Sequence, residues 1–68
     1  MADSLLIEAL KNWVTLNRFV KDATEKECEQ LLEMELEGKA RKLFVNRIHS
    51  RLNKVRAERE RRELEDKL

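Results

Sequence analysis

The sequence predicts an all-α fold, a single domain of three helices forming a helical hairpin module whose last helix is long and highly charged. Three observations carry this. The 68 residues hold no proline and one glycine, Gly38, so little interrupts a helix. Apolar residues recur at three- and four-residue spacing in three successive segments. An acidic helical edge, Glu25, Glu29, Glu33 and Glu37, is followed by a basic segment with Lys39, Arg41, Lys42, Arg47, Arg51, Lys54 and Arg56, and no acid recurs until Glu58. Residues four apart are neighbours on a helix, and like charges there cost about 0.2–0.5 kcal/mol per pair. Laying the basic helix beside the acidic one relieves that repulsion, so a hairpin is expected with this acidic ridge neutralised by helix three.

The first helix is expected over about 4–20, capped by Asp3 or Ser4, with Leu6, Ala9, Leu10, Trp13, Leu16 and Val20 as its buried face. Ile7, Leu10 and Val14 form a second stripe, displaced around the helix. They are either scattered surface residues, which are common, or a self-association seam. The second helix is expected over about 25–37. Thr24-Glu25-Lys26-Glu27 fits a capping box, in which the threonine hydroxyl and the glutamate carboxylate satisfy each other's backbone N–H groups. Its apolar set is Cys28, Leu31, Leu32, Met34 and Leu36, and Gly38 is placed to take the left-handed conformation that ends a helix.

A third helix is expected over about 40–66. Phe44, Val45, Ile48, Leu52 and Val55 define its core face, but Arg59 and Arg62 continue that face while Ala57, Leu64 and Leu68 lie opposite. The core therefore ends near Val55. Beyond it, pairs such as Arg56–Glu60 and Glu63–Lys67 add only about 0.2–0.5 kcal/mol each, and fraying is expected after about residue 61.

Charge is unevenly divided. Residues 1–37 carry four bases against nine acids, a net −5, and residues 38–68 carry eleven bases against five acids, a net +6. Such asymmetry fits an internally neutralised hairpin or a basic arm for nucleic acid. The basic flank Arg47, Arg51 and Lys54, spaced i, i+4, i+7 with Asn46, Ser50 and Asn53 nearby, is the candidate nucleic-acid contact. A net charge of +1 argues against strong long-range attraction to phosphate.

Catalytic chemistry finds little material. His49 is the only histidine and Cys28 the only cysteine, whereas a metal site needs three or four ligands. Glu27 and Glu29 beside Cys28 would raise a thiol pKa, which suits a buried apolar cysteine in a reducing compartment. One glycine cannot build a phosphate loop, and Trp13, Phe19 and Phe44 suit packing better than base stacking. No enzyme, cofactor or metal is expected. With no long apolar run the chain is expected to be cytoplasmic, with no membrane partner.

From Thr24 onward, an E-x-E-x-x-G segment (Glu33, Glu35, Gly38) precedes an R-I-H-x-R-x-N-x-x-R-A-x-R-E-R block running from Arg47, Ile48 and His49 through Arg51, Asn53, Arg56 and Ala57 to Arg59, Glu60 and Arg61. This stretch resembles short hypothetical proteins of tailed bacteriophages and prophages, a group without an assigned activity. The resemblance implies a setting in the host cytoplasm and no mechanism. The combined expectation is a small protein–protein interaction module that forms a homo-oligomer and binds an unidentified protein, a phage accessory or host-modulating factor. The alternative is a nucleic-acid-binding accessory protein using helix three.

Overall fold

In the computed structural model, which describes residues 2–68 and side chains from Ser4 onward, the chain is all-α. Four helices follow one another: α1 (Ala2–Ala9), α2 (Trp13–Lys21), α3 (Glu25–Glu37) and α4 (Lys42–Lys67). The expected helix over 4–20 is thus two helices. Backbone bonds tighten at the end of α1, where Leu10 N–H reaches both Leu6 O and Ile7 O and Lys11 N–H reaches Glu8 O. Asn12 then opens α2 with an extended backbone. Its Oδ1 accepts from Thr15 N–H at 2.9 Å, while its own N–H donates to Thr15 Oγ1 at 3.3 Å. This reciprocal cap satisfies two donors that an uncapped start would leave bare. Ser4 lies inside α1 and does not cap it, and the side chain of Asp3 lies outside the described residues.

The α3 start follows the Thr24–Glu27 reading, with Glu27 N–H to Thr24 Oγ1 at 3.2 Å and Thr24 N–H to Glu27 Oε1 at 2.9 Å. Its end differs. Gly38 has φ −96°, and Ala40 is the residue with positive φ, +48°. Glycine serves at position 38 through close approach, since a Cβ there would stand 3.1 Å from Met34 O. Ala40 N–H reaches back to Glu35 O at 2.6 Å. Leu36 is exposed, and Glu35 turns inward in its place.

The core is one cluster: Leu6 and Ala9 from α1, Leu16 and Val20 from α2, Ala23 from the α2–α3 connection, Cys28 and Leu31 of α3, and Phe44, Ile48 and Leu52 of α4. Each fully buried aliphatic contributes about 1.5–3 kcal/mol relative to exposure, and α3 against α4 is the most extensive packing. Val55 is half-buried and every residue beyond Arg56 is exposed. At 1.5 Å per residue α4 is about 39 Å long, close to the 43 Å long axis of the whole molecule. Its last three turns project past the body.

Candidate functional site

The N-terminal helices expose an apolar surface. Leu5, Ile7 and Val14 are 64%, 62% and 59% accessible, although the core closes without them. Leu5 and Ile7 flank the buried Leu6, so at 100° per residue they stand on opposite sides of α1. On the Leu5 side, α1 and α2 enclose a groove of about 300 Å³ lined by Leu5, Glu8, Ala9, Thr15, Arg18 and Phe19. Of the expected Ile7–Leu10–Val14 stripe, Ile7 and Val14 are exposed on separate helices. Leu10 is half-buried against the core, because the break after Ala9 ends the continuous helical register that placed the three in line.

The end of the molecule where α3 turns into α4 is organised by a buried acid that the sequence pattern did not single out for this role. Glu35 is 2% exposed. Its Oε2 accepts from the backbone N–H of Arg41 at 2.8 Å and from Arg41 Nε at 2.9 Å, and its Oε1 accepts from Nη2 at 2.8 Å. The same Nη2 donates to Leu10 O at 2.8 Å, tying the α1–α2 break to the turn. Arg41 also lies over the Phe44 ring, 3.5 Å from its centroid, and Trp13 meets Phe44 edge-on at 5.6 Å. The hydrogen bonds from Arg41 outweigh desolvation and hold the Glu35 carboxyl below its ordinary range. In the sequence Glu35 is one acid of an acidic run, between Met34 and Leu36, and helical periodicity alone does not set it apart from the others.

The acidic ridge is neutralised over half its length. Glu25 pairs with Arg59 at 2.7 Å and Arg56 at 3.8 Å, and Glu29 pairs with Arg56 at 3.4 Å. Glu33 and Glu37 enter no ion pair among the described residues. Arg47 and Arg51, the arginines expected opposite the ridge, instead turn toward α2: Arg47 Nε donates to Asn17 Oδ1 at 2.7 Å and Arg51 Nε to Ala23 O at 3.1 Å. Cations at the carbonyl end of a helix are favoured by its dipole. With Lys21, Ser50 and Lys54 they line a concavity of about 260 Å³ that no carboxylate borders. The basic flank is therefore assembled, with two of its three expected members partly engaged.

Cys28 is buried, and desolvation pushes its thiol above the ordinary value. The neighbouring Glu27 adds to that rise, while Arg51 opposes it. His49 is exposed, with Nδ1 3.5 Å from Asn53 Nδ2. Among the described residues no group of three or more His, Cys, Asp or Glu is placed to hold a metal ion, and no helix is long and apolar enough to cross a membrane. Comparison with protein-family models, curated proteins and solved structures gives no match.

Proposed function

We propose that this protein is a self-associating protein-binding module, of the kind a phage accessory or host-modulating factor would be, whose α1–α2 surface takes an apolar partner. The observation that carries it is the exposure of Leu5, Ile7 and Val14 on the two N-terminal helices, with Leu5, Ala9 and Phe19 lining the groove between them. An apolar groove of this kind takes the apolar face of a partner helix, and interfaces commonly ring an apolar centre with polar side chains; Glu8 and Arg18 supply that rim here. A single core in a chain of this size supplies only about 3–5 kcal/mol, so association adds stability by mass action. Sedimentation of the wild type beside Val14→Glu and Leu5→Glu tests the reading. Loss of association in either variant, with helix content preserved, supports it; unchanged association in both removes the α1–α2 surface as a self-association contact.

A second reading, nucleic-acid binding, draws on the concavity of Lys21, Arg47, Ser50, Arg51 and Lys54. It ranks lower because Arg47 and Arg51 already serve α2 and the net charge is only +1. Binding weaker than about 10 μM at physiological salt, the ordinary nonspecific range, is expected. Sub-micromolar binding to duplex DNA or RNA whose affinity falls steeply as salt is added, and weakens on replacing Arg47, Arg51 and Lys54 by glutamine, would reverse the order.

A further inference from the structure

The outer face of α4, opposite Phe44, Ile48 and Leu52, carries a strip unrelated to the core. Leu43, Ser50, Ala57 and Leu64 recur every seven residues, and Leu68 follows four later. Positions seven apart drift only about 20° on a straight helix, so the five lie along one side. All are exposed, Leu43 at 70%, Leu64 at 63% and Leu68 at 104%. Bulky leucines stand at the two ends, and small side chains in the middle allow another helix to approach closely.

The flank of this strip is polarised along its length. Between Gly38 and Ala57 there is no acid, whereas Glu58, Glu60, Glu63, Glu65 and Asp66 crowd the distal turns. Arg47 and Lys54 on the proximal flank border the carboxylate-free concavity, and Glu58 and Glu65 on the same flank enter no ion pair among the described residues. A parallel partner would set like charge against like. An antiparallel copy reverses this: the register that sets Lys54 opposite Glu58 of the partner subunit also sets Arg47 opposite Glu65 of the partner subunit and brings Leu43 within one residue of Leu68 of the partner subunit. The two-fold axis then falls at Arg56, next to Ala57, and a symmetric pair satisfies each contact twice. The turns beyond Arg59, which make no ion pair with another helix of their own chain among the described residues, would rest on the partner's α4.

We infer that the outer face of α4 is a homodimer seam in which two copies pair antiparallel through Leu43, Ser50, Ala57, Leu64 and Leu68, with Arg47 and Lys54 meeting the partner's distal carboxylates. This rests on the self-association reading and supplies a seam separate from the α1–α2 surface. Sedimentation equilibrium of the full chain, with circular dichroism on each variant, tests it. Ala57→Glu places a charge in the seam beside the two-fold axis and is expected to raise the dimer Kd at least about tenfold with helix content unchanged. Lys54→Glu is expected to weaken the dimer comparably, and adding Glu58→Lys to it to restore the dimer. Val14→Glu is expected to leave the α4 dimer intact while removing any larger assembly formed through α1–α2. Loss of the dimer with Val14→Glu but not with Ala57→Glu overturns the α4 seam and leaves α1–α2 association standing. Failure of Glu58→Lys to rescue Lys54→Glu overturns the antiparallel register, and a monomeric wild type overturns both seams.

Discussion

Glu35 and Arg41 form a two-point ion pair, Nε to Oε2 at 2.9 Å and Nη2 to Oε1 at 2.8 Å, that closes the turn between α3 and α4 from inside the fold. Forked pairing of this kind is stronger and more directional than a single contact. Because the carboxylate is buried and also takes the Arg41 backbone N–H, Glu35→Gln is expected to destabilise the fold by about 1–3 kcal/mol, read by urea denaturation. The effect depends on pH. Arg41 lowers the Glu35 pKa below its ordinary 4.5, so the pair's contribution is complete above 4.5 and is lost as pH falls from there through the lower folded-state value. Wild type and Glu35→Gln should therefore converge in stability in acid and diverge toward neutral pH.

Ala40 holds a left-handed conformation at φ +48°, which a side chain opposes and glycine tolerates. Ala40→Gly is expected to raise stability by about 0.4–1 kcal/mol after allowing for the looser unfolded chain. A drop in urea midpoint would mean that Ala40 contributes packing its exposed position does not suggest.

Asn12 is the hinge of the N-terminal half. Asn12→Ala removes the side-chain acceptor for Thr15 N–H and is expected to cost about 0.5–2 kcal/mol, whereas Asn12→Asp should retain most of the stability. Equal losses in the two variants would show that the cap is incidental to the break.

The order of the helices, the start of α3 and the end of the core near Val55 follow directly from residue chemistry. Thr24 and Glu27 lie three apart with an apolar set beyond them, a local signal whose geometry is complete within one turn. The break at Asn12 was masked because Leu6, Ala9, Leu16 and Val20 keep helical spacing across it, so an apolar pattern alone cannot separate two helices packed on one core. The hairpin register was also beyond reach: Glu25 meets Arg56 and Arg59, and not Arg47 or Arg51, because the path of Gly38 to Arg41 sets how far α4 slides along α3. Composition placed the opposite charges together, while the turn chose the partners.

Those partners are exposed, and their coupling should be small. A double-mutant cycle between Glu25 and Arg59 is expected to give about 0.2–1 kcal/mol in low salt, declining as salt is added, and a cycle between Glu33 and Arg47 is expected to give none. Coupling of Glu33 to Arg47 larger than that of Glu25 to Arg59 would require a different register of α3 on α4.

The distal turns of α4 carry the exposed Leu64 and Leu68 past the end of the core, and under the proposed α4 seam their support comes from another chain. Isolated helices shorter than about 12–15 residues are marginal in water, so these turns should open readily when the protein is dilute. Amide hydrogen exchange at Glu63–Asp66, followed from the lowest workable concentration up through association, measures this directly. Little protection in the dilute protein, rising toward that of Ile48–Leu52 as copies associate, is the predicted result; protection at Glu63–Asp66 already equal to that of Ile48–Leu52 in the dilute monomer would contradict it.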